Sequence, residues 1–433
     1  MQRHLQDQLV AWKNKPNRKP LIINGARQVG KTWLMKNFGR EHFAKVAYIN
    51  FDNNTRMQQL FEEDYNLKRI LKGLQIEAGV SLTPENTLII FDEIQAAPKA
   101  LASLKYFNED ASEYAVIAAG SLLGTLLHQN VSYPVGKTES INLYPLSFTE
   151  YLQATDNGAL LDLLKSKDWE TIATFSSRYI QLLKEYYFVG GMPAAVLAYL
   201  ENHDFATVRA VQTNILNDYD RDFSKHTENP TESLRVSKVW DSLPAQLGRE
   251  KRKFIYGKIE KGGRAKSFEM ALQWLVKSGL TYEVPCITKP GLPLKSYEDL
   301  GVFKLFALDV GLLGAMSGLD ATTLLEGNAI FEEFKGSLTE QYACQQLISD
   351  CALTPYYWSA ENSSGELDFV VSRVNEIVAL EVKAEENLQA KSLKSFYNTY
   401  PNTNAIRSSL SNYRKQDWMT NIPLYALSTL KTP

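Results

Sequence analysis

Four short apolar runs mark the first 150 residues: Pro20–Asn24, Val46–Phe51, Thr87–Phe91 and Tyr114–Ala119. Between them, apolar positions recur at helical spacing around Lys31–Gly39, Asp64–Gly73 and Lys99–Asp110. Strand and helix in alternation predict a parallel sheet with helices on both faces. From Leu160 to about Leu325 the periodicity is mainly helical, with a Pro/Gly-rich break at Pro285–Pro293. From about Phe331 it reads as a helix, then strands at Tyr356–Ser359, Glu366–Val371 and Ile377–Val382, then another helix. Polar stretches near 155–170 and 226–232 are the candidate linkers. This gives three domains: an α/β domain over 1–155, a helical region over 156–328, and a second α/β domain over 329–433.

The length of 433 residues exceeds what one hydrophobic core serves, in keeping with several domains. At 44% hydrophobic and 22% charged, the composition excludes a disordered or collagen-like chain. Lys and Arg total 47 against 49 Asp and Glu, which excludes a uniformly basic nucleic-acid coat but leaves room for a local basic patch. Cys286, Cys344 and Cys351 have no metal-ligand spacing and cannot build a disulfide framework, so a reducing cytoplasm is expected. The longest weakly polar run, Tyr114 to Leu127, is interrupted and too short for a bilayer, and the N-terminal amphipathic helix lacks a signal-peptide apolar region. No membrane partner is expected.

The sharpest chemical signal is Gly25-Ala-Arg-Gln-Val-Gly30-Lys31-Thr32, a full match to GxxxxGK[ST] between an apolar strand and a helical pattern. Such a loop turns successive N–H groups inward, and the helix N-terminus adds a partial positive charge beneath a phosphate. Gly25, Arg27, Gln28, Val29, Gly30, Lys31, Thr32 and Trp33 are the predicted nucleotide contacts. Lys31 would bridge the β- and γ-phosphates of ATP, and Thr32 would ligate Mg²⁺. A second carboxylate is needed on the metal side. The strand Thr87–Phe91 ends in Asp92-Glu93, which supplies Asp92 for the magnesium shell and Glu93 to polarise the attacking water. Ser121, two residues past the next strand, is placed to touch the γ-phosphate or the water; a turn or helix cap is its other reading. Asn50 and Asp52 hold the same topological position after the second strand, with a capping or loop role equally open.

With GARQVGKT, YINFD at 48–52, FDEIQ at 91–95, AAGSLLG at 118–124 and LYPLSFTEYL at 143–152, the chain resembles the AAA+-type P-loop ATPases widespread in bacteria and archaea. Those proteins carry a C-terminal domain of unassigned function similar to restriction-endonuclease-like nucleases. YYFVGGMPAAV at 186–196, FKLFALDVGLL at 303–313 and the GELDFVV and ALEVK segments extend the resemblance over nearly the whole chain. It implies ATP hydrolysis and a winged helix in the middle region; an arginine finger supplied by a neighbouring copy of the chain would make the protein a homo-oligomer. The family shows Gly-Arg shortly before PLSF, where this chain has Gly136-Lys137. If that position acts on the γ-phosphate, Lys137 is a point charge without the planar guanidinium fork, and Arg27 is another candidate cation.

Residues 249–266 hold eight basic and two acidic side chains in an otherwise neutral chain. A helical pattern at Ser267–Ser278 follows, then a short strand at Leu280–Val284. Helix, basic turn, helix and strand fit a winged helix that presents Lys251, Arg252 and Lys253 to DNA. A solvated basic face and a surface for a neighbouring subunit are the alternatives. Near the end, Asp368 leads a strand, Glu381 and Lys383 close the next, and Glu340 lies on the preceding helix. Together with the resemblance, this Glu…Asp…Glu-x-Lys order implies a nuclease-like metal site. Outward-facing strand carboxylates, or a non-catalytic docking module that acts with a protein partner, fit the same order.

Overall fold

The structure, a computed structural model, describes residues 1–121, 134–226, 229–249, 252–321, 329–360, 365–384 and 390–431. Its contacts divide the chain into two compact units: Met1–Tyr144 with Lys277–Gly279, and Pro145–Val276 with Leu280–Pro433.

The first unit opens with helix α1 (Leu5–Lys13) and strand β1 (Leu21–Asn24), followed by α2 (Lys31–His42) and β2 (Lys45–Asn50). Helices α3 (Thr55–Glu62) and α4 (Leu67–Ala78) lead to β3 (Thr87–Asp92), α5 (Pro98–Asp110), β4 (Ala115–Ala119) and β5 (Glu139–Asn142). The five strands are parallel, in the order β2-β3-β4-β1-β5. The predicted α/β architecture holds. Every side chain of β3 and β4 is buried, as expected for central strands covered on both faces. Phe51, Phe61, Phe91 and Phe107 meet edge to face inside one core, at centroid separations of 5.5–5.8 Å. Strand β5 is absent from the sequence reading, because Glu139-Ser-Ile-Asn142 alternates between half-buried and exposed and carries no apolar run.

The second unit is built on a mixed eight-stranded sheet. Its strands are β6 (Thr281–Ile287), β7 (Glu298–Ala307), β8 (Tyr356–Ser359), β9 (Glu366–Arg373), β10 (Glu376–Val382), β11 (Asn404–Ser409), β12 (Arg414–Lys415) and β13 (Thr420–Pro423). Their order is β12-β13-β11-β10-β9-β8-β6-β7. Two expectations change here. First, the predicted strand at Leu280–Val284 becomes β6 of an antiparallel hairpin with β7, but β6 also pairs in parallel with β8, so the sheet runs across the boundary placed at 328/329. Second, Pro285 does not break β6. Pairing with β8 begins only at Cys286, and the register toward β7 shifts beside Pro285, so its missing N–H removes no regular ladder bond. The polar stretch 155–170 is helical too, over Gly158–Ser166 and the start of Trp169–Thr174; it is polar because only Leu161 and Leu164 within it are buried.

The motifs without evident chemistry converge inside this unit. Leu146 of PLSF donates its N–H to the Gly191 carbonyl at 2.7 Å, and Gly191 donates its own to Asp309 Oδ2 at 2.7 Å. Tyr186 donates its hydroxyl to the Leu146 carbonyl and accepts from Gln345 Nε2 at 3.0 Å. Gln346 accepts from the Phe148 N–H at 2.8 Å, and Gln341 exchanges two bonds with the Ala307 backbone. A Cβ on Gly191 would lie 2.0 Å from the Leu146 carbonyl oxygen, so only glycine lets these backbones meet. The glutamines come from the long helix Ala329–Ser349, which thereby joins the middle and C-terminal segments through a buried, fully partnered polar knot.

Candidate nucleotide site

The carboxyl edge of the five-stranded sheet gathers the predicted ATPase residues. β1 ends at Asn24 and delivers the loop; β3 ends at Asp92; β4 lies between them and ends two residues before Ser121. Ligands of open parallel sheets bind at this edge. Gly25 adopts φ +144°, and a Cβ there would stand 2.2 Å from the Leu143 carbonyl oxygen. Gly30, in the left-handed region, caps α2. Ala26 and Val29 turn into the core, while Arg27 and Trp33 face solvent. A buried arginine that the sequence reading missed, Arg3, donates to the Val29 carbonyl at 3.0 Å and anchors the back of the loop. It stands alone in the N-terminal segment, and no motif announces it.

Lys31 is almost fully buried. Its ammonium donates to the carbonyls of Gly25 at 2.8 Å and Ala26 at 2.7 Å, folded back across its own loop. Burial pulls its pKa down to about 8; the carboxylates of Glu93 and Asp92 oppose that fall, and Arg27 adds to it. Thr32 Oγ1 donates to Asp92 Oδ2 at 2.6 Å, so the two predicted magnesium-side residues are in direct contact. A hydroxyl oxygen beside a carboxylate suits a hard cation that draws its other ligands from phosphate and water, so the residues fit Mg²⁺. Glu93 is half-buried, in the left-handed region at φ +50°, and takes a hydrogen bond from Gln95 Nε2. Asn50 and Asp52 are exposed; the Asn50 side chain accepts from the Asp52 N–H at 2.8 Å and shapes the turn after β2. Residues 122–124 of AAGSLLG lie outside the described residues.

Lys137 does not reach this site within its own chain. It precedes β5, which runs parallel to β1, and so stands at the sheet's amino edge. Lys19, ahead of β1, donates to the Gly136 carbonyl at 2.8 Å. The length of β1, at ~3.3 Å per residue, separates that edge from the loop. Lys137 is paired instead with Glu109, near the C-terminus of α5, at 2.8 Å.

The C-terminal carboxylates are arranged differently from the expected metal site. Glu340 is buried and ion-paired with Arg252, and Lys304 Nζ stands 3.6 Å from its second oxygen. Lys304, wholly buried on β7, also pairs with Glu366 at 2.6 Å. Burial alone would raise the Glu340 pKa, but the charges of Arg252 and Lys304 hold it below the usual carboxylate range. Asp368 is pushed well above that range, by burial and then by Glu340, and it accepts from the Val382 N–H at 2.8 Å. Glu381 pairs with Lys383 at 3.0 Å. Thus Glu340 and Asp368 do come together, but around protein cations. Among the described residues, no three His, Cys, Asp or Glu side chains form a group that could hold a metal ion. The partners Arg252 and Lys304 were invisible as such in the sequence; Arg252 read as part of a DNA-facing patch. Lys251 lies outside the described residues, and Lys253 is exposed.

Among known families, residues 17–152 match a model described as an AAA domain, so the first unit carries an AAA-type ATPase domain. Residues 180–323 and 335–427 match two models, each described as a domain of unknown function. No curated protein matches the chain. Among solved structures, a Walker-type ATPase of Pyrococcus abyssi is similar at 14% identity and a TM-score of 0.46, covering 73% of this chain and 95% of that one. The Aeropyrum pernix ORC1 protein in complex with DNA aligns at 12% identity and a TM-score of 0.28, over 72% and 90% of the two chains. Cdc6p from Pyrobaculum aerophilum aligns at 12% and 0.26, over 75% and 94%. Among the described residues, no helix is long and apolar enough to cross a membrane.

Proposed function

We propose that the first unit binds and hydrolyses ATP with magnesium, and that the second unit is a non-cutting module whose engagement follows the nucleotide state. The observation that carries the first half is the 2.6 Å contact between Thr32 Oγ1 and Asp92, beside a buried Lys31 on a GxxxxGKT loop. The loop amides and Lys31 would hold the phosphates, with Lys31 leaving the Gly25 and Ala26 carbonyls to do so. Thr32 and Asp92 would hold magnesium, which supplies charge neutralisation on the phosphate oxygens. Glu93 would orient the water for in-line attack, and Ser121, at the end of the intervening strand, would sense the γ-phosphate. The decisive variant is Glu93→Gln. It should retain ATP while turnover falls by about 10²–10⁴-fold, a loss typical of a removed general base. Unchanged turnover would remove Glu93 from this role.

The non-cutting reading of the second unit rests on Glu340, whose charge Arg252 and Lys304 already satisfy. Lys253, Lys258, Lys261, Arg264 and Lys266 are exposed around the helix Ala265–Lys277, which favours contact with a polyanion such as DNA. Salt-sensitive DNA binding without manganese-dependent cleavage is the expected result. Cleavage lost in Asp368→Ala would restore the nuclease reading.

A further inference from the structure

Tyr48, on β2, reaches the same carboxylate oxygen as Thr32. Its hydroxyl donates to Asp92 Oδ2 at 2.9 Å, while Thr32 Oγ1 donates to that oxygen at 2.6 Å. The other oxygen, Oδ1, accepts from the Glu93 N–H at 3.1 Å. β2 pairs with β3 so that Asn50 lies opposite Asp92, and Tyr48 shares its face two residues earlier. Over the ring, Lys36 Nζ stands 3.5 Å from the centroid. Lys36 follows Thr32 by one helical turn, so α2 presents both residues to this corner. The phenol is therefore held from above by a cation and aimed at a buried carboxylate.

We infer that Tyr48 is a positioning residue for metal binding: it fixes the rotamer of Asp92 so that the carboxylate faces the cation when nucleotide is bound. The inference rests on the ATPase reading and extends it. When Thr32 turns its hydroxyl oxygen toward a cation, Asp92 loses the geometry of that hydrogen bond. Tyr48 is then the remaining side-chain donor in these described contacts that keeps Oδ2 in place. A hydrogen-bonding partner behind a metal-binding carboxylate restricts its orientation, and removing such partners costs about 10–100-fold in metal affinity.

The test uses the full chain and Tyr48→Phe, which keeps the ring under Lys36 and removes only the hydroxyl. Mn²⁺ affinity is measured by electron paramagnetic resonance in the presence of ADP, and ADP affinity is measured separately in EDTA. The expected result is about tenfold or more weaker Mn²⁺ binding, with metal-free ADP affinity unchanged within twofold. Wild-type Mn²⁺ affinity in the variant would overturn the inference. A parallel loss of metal-free ADP affinity would also overturn it, since that marks a general loosening of the loop. Wild-type protein that binds neither ADP nor Mn²⁺–ADP would instead sink the ATPase reading itself.

Discussion

Lys31 makes nucleotide binding a proton-coupled event. Without ligand its pKa stands at about 8, lowered from 10.5 chiefly by burial. Phosphate oxygens beside the ammonium would favour the charged form and return the value toward or above its ordinary level. The sign follows. Well below pH 8 the free protein already carries most of the proton, so binding takes up little. Above pH 8 the free protein has lost it, and binding must recover it. At pH 9 the free ammonium is only about one-tenth populated, so binding ATP should take up close to one proton; at pH 7 uptake should be about 0.1. The affinity penalty between pH 7 and pH 9 is about tenfold, or roughly 1.4 kcal/mol. Isothermal titration of ATP at both pH values, each in two buffers of different ionisation enthalpy, counts the protons directly. Uptake below about 0.3 proton at pH 9, alongside intact binding, would refute the buried, folded-back lysine.

Two further outcomes follow from the second unit. Gly191→Ala places a methyl group against the Leu146 carbonyl oxygen 2.0 Å away, so the unit should lose about 3 kcal/mol of stability, read in urea unfolding; a loss under 1 kcal/mol would contradict the contact. Arg252→Met leaves buried Glu340 facing Lys304 alone and should cost about 3–5 kcal/mol, whereas the double variant Arg252→Met with Glu340→Met should recover most of it. Equal losses in single and double variants, again by urea unfolding, would show that the pair is not what matters.

Much of the first unit was legible because its signals are local. The apolar runs predicted β1 to β4 within a residue or two at most ends, and GARQVGKT and FDEIQ place Lys31, Thr32 and Asp92 by motif alone. Tyr48 lies within YINFD, but only strand register shows that it reaches Asp92. In the second unit the deciding contacts join residues far apart in sequence. Gly191 meets Asp309 across 118 positions, and Tyr186 meets Gln345 across 159. Periodicity carries no information on such pairings, so PLSF, VGGMP and DVGLL read as separate pieces. The same gap hid the cations beside Glu340: Arg252 is 88 positions away, and Lys304 sits on β7, whose partner in the sheet is β6. Strands β11 and β13 were missed because Arg407, Ser408, Ser409 and Asn421 are polar yet buried, partnered in part with one another.

The parallel pairing of β6 with β8 decides where the polypeptide can be divided. A fragment ending at residue 328 would keep β6 and β7 but bare the backbone amides and carbonyls of β6 that β8 normally satisfies. The complementary fragment would open β8 in the same way. Each would carry a sticky, unpaired ladder of the kind that recruits other chains into aggregates. The polypeptide is therefore better divided near Tyr144, where its contacts separate the two units, with the remainder, hairpin included, kept as a single piece.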